Sequence, residues 1–380
     1  TIDAVYDRFA ETKRFEALKC DLEQQKREGW RCHFFWDSDV AKWIEGAAYV
    51  LERGRDAALE AKVDAIIDDM CANQMEDGYY NCYFKIYETD DRFQTRDHHE
   101  LYCLGHLTEA AIAYQHATGK DKLMGLVKRY IDLVIRAFTV EKTAKFMTPG
   151  HEEIELALVR MYHATGERKY LELSKFFIDN RGCNDLDPNG YCGFATANYA
   201  QDHLPVREMT TAEGHSVRAM YLYIAMADHA LEYGDEALLH ACETILKNVA
   251  YKRMYITGGI GSSHIGEAFT VDYDLKNEPA YTETCATLAL ALLYGYQAQS
   301  ALDGDENMWD ESAALTFARG LARPSEASKL MAFYRNLEIL TETWKHRLDA
   351  PADGGSSAVS GFRQRAEGKV RRPHRRAGGL

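Results

Sequence analysis

The stretches "YQHATGKDKLMGLVKRYIDLV" (residues 114–134) and "MYHATGERKYLELSKFFIDN" (161–180) decide the fold. Each runs as a helical apolar pattern, stops at Thr-Gly, crosses a charged pair and resumes the same pattern. Gly119 and Gly166 stand where a helix ends on a left-handed residue. The next helix restarts almost at once, and so short a connection forces an antiparallel helical hairpin. Looser copies occur at "LERGRDAALEAKVDAII" (51–67) and "LEYGDEALLHACETIL" (231–246), with Gly54 and Gly234 in the same role. Hairpins that recur about every 50 residues predict a solenoid or a closed α/α toroid.

Working outward, apolar spacing near 3.6 dominates the chain. "SDVAKWIEGAAYVL" puts Val40, Trp43, Ile44, Ala47, Ala48 and Leu51 on one face, strand-like alternation is scarce, and there are only seven prolines. The connections between hairpins are long: "MEDGYYNCYFKIYETDDRFQTRD", "NRGCNDLDPNGYCGFATANYAQDHLPVREM" and "YITGGIGSSHIGEAFTVDYDLKNEPA". Loops of this length in a compact domain are functional or disordered, and their aromatic content argues against disorder. Tight turns alternate with elaborate loops. In an all-α toroid this gathers every long loop at one mouth.

The bulk composition narrows the function. A chain of 380 residues with 46% apolar side chains can bury a large core. The net charge is −14, and a cluster of seven Lys/Arg after residue 360 leaves the rest more acidic still. Such a body repels phosphate backbones, so nucleic acid is excluded as a partner and a neutral ligand such as a sugar is favoured. No apolar run approaches the roughly 18–20 residues that span a bilayer, and the N-terminus has no export-signal pattern. The nine cysteines include no CxxC pair, which suits a reducing cytoplasm rather than a disulfide scaffold. A homo-oligomer is compatible with all of this.

Polar residues gather where the first helix of each hairpin begins. "RDHHE" sets His99 there, "TPGHEE" His151 and "TAEGHS" His215. Inner helices of a toroid run parallel, so these starts converge, and helix N-termini offer free N–H groups and partial positive charge. One such histidine is unremarkable as a cap. Three in the same phase of a repeat point to a ligand site. Asp37 and Asp39 in "FFWDSD" read as capping residues. His116 and His163, in the HATG turns, fall at the opposite end and read as structural. "GGIGS" (258–262) lacks the spacing of a phosphate loop. "YTETC" opens a further helix with Glu283 and Cys285, after a loop that carries Glu267. A carboxylate and a thiolate are both zinc donors, yet by spacing alone a capping Glu with a buried Cys is the stronger reading.

Five blocks, "FWDSDVAKWIEGAAY", "HHELYCLGHLTEAAIAY", "GHEEIELALVRMYHATG", "TAEGHSVRAMYL" and "RMYITGGIGSSHIGEAFTVDYDLKNEPAYTETCAT", together resemble the β-L-arabinofuranosidases of glycoside hydrolase family 127. The resemblance runs in order from about residue 1 to about 300. It implies a catalytic (α/α)6 barrel over 1–302, incomplete at its C-terminal end, and retaining hydrolysis of terminal β-L-arabinofuranosyl groups of plant-type glycans. It implies Glu267 as general acid/base, His99, His151 and His215 as sugar-binding residues, and Glu283 and Cys285 as two of four zinc ligands. The family's other two ligands are a later Cys-Cys pair whose first member is the nucleophile. No cysteine follows Cys285 here, and residues 303–380 read as a divergent, frameshifted or disordered tail, so the zinc site is expected to be incomplete and activity impaired. Two other functions fit a helical toroid: a sugar isomerase or epimerase using histidine bases, and a non-catalytic scaffold.

Overall fold

The computed structural model describes residues 2–183, 197–290 and 293. Three short N-terminal helices, α1 (Ile2–Glu11), α2 (Arg14–Ala17) and α3 (Leu22–Glu28), precede four hairpins. The hairpins pair α4 (Trp36–Arg53) with α5 (Ala57–Ala72), α7 (Glu100–Thr118) with α8 (Lys122–Ile135), α9 (Ile154–Thr165) with α10 (Arg168–Asn180), and α11 (Ser216–Tyr233) with α12 (Glu236–Asn248). A single turn, α6 (Cys82–Ile86), sits in the first long loop, and residues 284–290 open a further helix. Among the described residues the only β pairing is isolated bridges.

Burial sorts the helices into two layers. In α11 nearly every residue from Ser216 to Ala230 is buried, and α7 is buried on both faces. In α8, α10 and α12 a single apolar stripe is buried. A helix buried all round lies between two layers, and one with a single stripe lies outside. The packing agrees: α4 packs on α7, α7 on α9 and α9 on α11, each with its own hairpin partner behind it. This is the arc of an α/α barrel with α4, α7, α9 and α11 inside. The helix at 284–290 continues it, for Ala286, Ala289, Leu290 and Leu293 share a core with Leu222, Tyr223 and Met226 of α11.

The turn chemistry follows the sequence in three hairpins and departs from it in one. Gly119, Gly166 and Gly234 cap their helices at φ 76°, 74° and 65°. Gly54 instead sits at φ −176°, an extended conformation open to any residue, because Asp56 starts α5 by accepting from the N–H groups of Ala58 and Leu59. At this tight-turn end His116 faces Glu52 at 3.5 Å and His163 faces Glu232 at 2.6 Å, tying neighbouring hairpins together. Asp37 and Asp39 do not cap α4. Asp37 is buried and accepts from the Cys82 N–H, and Asp39 binds Arg14 at 2.8 Å. The predicted tail, 303–380, lies outside the described residues.

Candidate active site

The long loops do meet at one mouth, where buried arginines fasten them. Arg96 Nη1 donates to Asp202 at 2.7 Å and its Nη2 to Thr148. Arg181, fully buried, pairs with Glu152 and Glu155 at 3.0 Å each and donates to the carbonyls of Pro149 and Ala200. α12 runs into a π-helical turn, Val249–Arg253, which turns Lys252 and Arg253 toward Asp272; both bond it at 2.8 Å. The loop carrying Glu267 is thereby anchored at its far end. At its near end Phe269 N–H donates to the Gly214 carbonyl and Ser216 Oγ to the Glu267 carbonyl, which ties the loop to the start of α11.

This framework brings His99, His151, His215 and Glu267 together. The ring centroids of His99 and His151 are 5.6 Å apart, as are those of His151 and His215. His215 Nε2 lies 2.9 Å from Glu267 Oε2, and the Tyr281 hydroxyl donates to Oε1 at 2.9 Å. His99 and Glu267 hold left-handed backbone, φ 59° and 52°. Such conformations cost a non-glycine residue about 1–3 kcal/mol and concentrate at functional sites.

The hydrogen bonds fix the tautomers. His99 Nδ1 donates to the Asp97 carbonyl at 2.5 Å, and His151 Nδ1 to that of Glu152 at 2.8 Å. His215 Nδ1 accepts from the Arg218 N–H, so its Nε2 carries the proton shared with Glu267. Burial, reinforced by the nearby Arg218 charge, pushes His99 down to about 3 and His151 well below the ordinary histidine range. Burial also lowers His215, against the pull of Glu267. All three rings are neutral near pH 7. The Glu267 carboxyl is not raised, contrary to what a general acid by family resemblance calls for, because the His215 bond outweighs the upward push of its partial burial. Its side chain is 42% exposed, and the His215 bond, with help from Tyr281, holds the carboxyl below its usual range. Without ligand it is an anion.

Glu283 is near enough to act on His215, and Cys285 on Tyr102. Glu283 Oε2 is buried without a hydrogen-bond partner, and partial burial, reinforced by the Glu283 carboxylate, raises the Cys285 thiol to about 11. An orphaned carboxylate oxygen beside a thiol is donor chemistry that suits zinc. The number does not suffice: among the described residues no group of three His, Cys, Asp or Glu is arranged to hold a metal. The described residues do not make a zinc site by themselves.

Sequence reasoning missed three contributors. Arg218 is buried behind the histidines, and it is the one charge in the run Ser216–Ala227, which was the available signal. Tyr281 shares its block with Glu283 and orients Glu267. Tyr102 packs on His151 at 4.2 Å while accepting from Lys42 Nζ at 2.7 Å. Neither tyrosine had a distinguishing pattern in so aromatic a chain.

An inner ring of helices whose starts present neutral histidines beside a carboxylate makes this mouth of the α/α barrel a candidate active site. The sequence model of the β-L-arabinofuranosidase GH127 catalytic domain matches residues 1–311, and the chain belongs to that family. It is 39% identical over 289 residues to a non-reducing end β-L-arabinofuranosidase of Bifidobacterium longum subsp. longum, a match covering 71% of this chain and 43% of the relative. Its fold is similar to Ara127N-Se, a GH127 β-L-arabinofuranosidase from Geobacillus stearothermophilus T6, with TM-score 0.72, 38% identity, and coverage of 84% of this chain and 53% of that one. A second solved GH127 β-arabinofuranosidase gives TM-score 0.68 at 34% identity, covering 78% and 47%. The chain thus spans about half the length of these relatives. Among the described residues no helix is long and apolar enough to cross a membrane.

Proposed function

We propose that this chain carries the furanose-binding and acid/base half of a β-L-arabinofuranosidase site. The observation that carries the proposal is the line of three neutral histidines ending on Glu267. Neutral imidazoles grip hydroxyl groups and fix the sugar's orientation. Glu267 stands at the end of this line, bonded to His215, and would be the group to protonate a glycosidic oxygen. A bound sugar removes water from its exposed side, and desolvation raises a carboxyl. That is the direction a general acid needs, and after bond cleavage the same anion can take a proton from water. Glu283 and Cys285 would be zinc donors; bound zinc would keep the thiol as thiolate. Two donors make a weak site.

The isomerase alternative asks His99 or His151 to abstract a proton near neutral pH, and imidazoles depressed this far are poor bases. The eight described cysteines are all free, which supports a reducing, cytoplasmic location. The test is a titration with methyl β-L-arabinofuranoside beside turnover of an aryl β-L-arabinofuranoside. The 380-residue chain is expected to bind the first and to turn over the second only slightly. Adding a segment that supplies the Cys-Cys pair restores hydrolysis, and Glu267→Gln then removes most of it. Full hydrolysis by this chain in the presence of a zinc chelator would overturn the proposal.

A further inference from the structure

Arg218 lies in the first turn of α11 with its guanidinium buried. Nη1 donates to Asp97 Oδ1 at 3.0 Å and to the Gly150 carbonyl at 2.6 Å. The guanidinium also lies 4.7 Å over the Tyr199 ring, which meets His215 edge-on. Each contact leads to a histidine. Asp97 supplies the carbonyl that fixes His99 Nδ1. Gly150 immediately precedes His151 in the chain. The backbone N–H of Arg218 itself reaches His215 Nδ1. One cation therefore joins the three loops that carry the three rings.

We propose that Arg218 is the positioning residue of this site, holding His99 and His151 in the Nδ1–H tautomer so that their Nε2 atoms are paired hydrogen-bond acceptors, and that the site therefore selects a furanoside with two free neighbouring hydroxyls. The inference rests on the reading of this mouth as a furanose site. The chemistry is one of counting. A neutral imidazole has one N–H, and in both rings a backbone carbonyl takes it. What remains on each ring is a lone pair, which accepts from a hydroxyl and repels an ether oxygen. Protonation would turn both rings into donors. The charged and titratable groups around them are Asp97, Arg218, His151, His215 and Tyr102 for His99, and Arg218, His99, His215, Tyr102 and Tyr221 for His151. Arg218 supplies the nearby positive charge that opposes protonation, while its bonds to Asp97 and Gly150 hold the two loops in register.

The experiment uses the whole chain with 15N-labelled histidine, whose long-range couplings distinguish the two tautomers, beside calorimetric titration with methyl β-L-arabinofuranoside and its 2,3-di-O-methyl derivative. Wild type should show Nδ1–H at His99 and His151 and bind the derivative at least tenfold more weakly. Arg218→Met, of similar length and uncharged, should give mixed tautomers and at least tenfold weaker binding, and Arg218→Lys an intermediate loss. Unchanged tautomers and affinity in folded Arg218→Met would overturn the proposal. If that variant does not fold, the same null result in Arg218→Lys overturns it. If tautomers respond to Arg218 but wild type binds no furanoside, the positioning role stands and the furanose reading falls.

Discussion

Gly150→Ala perturbs the site without removing a polar group. A Cβ built on Gly150 would lie 2.5 Å from Asp97 Oδ1 and 2.7 Å from the Arg96 carbonyl. Comfortable non-bonded contact is roughly 3.5 Å, so the loop before His99 must retreat by about 1 Å. Both obstacles belong to a well-fastened loop, since Arg96 is anchored to Asp202 and Asp97 to Arg218. Overpacking of this kind costs about 1–3 kcal/mol of stability. The retreat also stretches the 3.0 Å Asp97–Arg218 bond toward the limit of about 3.5 Å, where hydrogen bonding is lost. His99 moves with the loop. Losing one or two hydrogen bonds of about 1 kcal/mol each to a bound sugar weakens binding by about tenfold. Urea unfolding reads the first effect and calorimetric titration with methyl β-L-arabinofuranoside the second. Gly125→Ala is the control: it lies within α8 with nothing inside 4 Å and should stabilise slightly. If Gly150→Ala changed neither stability nor affinity beyond this control, the close packing that supports the site would be refuted.

Further outcomes can be checked separately. Glu100 is buried and pushed up from 4.5 to about 8 by burial, while accepting from Tyr79 and the Phe93 N–H. The folded state therefore holds a proton that the unfolded chain releases, so the Glu100 contribution is full below pH 4.5 and is lost as pH rises through 8. Glu100→Gln should accordingly flatten the stability profile between those limits, and an unchanged slope in urea unfolding would count against the buried carboxyl. Tyr281→Phe should raise the Glu267 carboxyl by removing one of its two donors, visible as an upfield-to-downfield titration midpoint in 13C-carboxyl spectra moving to higher pH. If Glu283 and Cys285 are the zinc donors proposed above, zinc should bind the chain far more weakly than at a site of four ligands, and Cys285→Ser should abolish even that in a competitive chelator titration.

Much of this architecture is written in the chain. Gly119 and Gly166 mark hairpin ends because a residue at ease with positive φ caps one helix and lets the next restart within a few residues. The histidines were legible through their common phase in the repeat. Gly54 was misread because the sequence looks alike whether glycine or the following Asp56 cap sets the turn. Asp37 was misread because its partner, the Cys82 N–H, is 45 residues away. Arg218 escaped for the same reason: Asp97 is 121 residues distant and Gly150 68, so nothing local announces the contacts. The state of Glu267 depended on exposure, which the pattern of residues does not carry.

The central claim is that His99, His151, His215 and Glu267 serve one furanose site. It is tested most directly by titrating methyl β-L-arabinofuranoside into the 380-residue chain and into His99→Ala, His151→Ala and His215→Ala. Saturable binding by the parent chain, weakened at least tenfold in each folded variant, is the predicted result. Binding that all three substitutions leave intact, or no saturable binding by the parent chain, would contradict it.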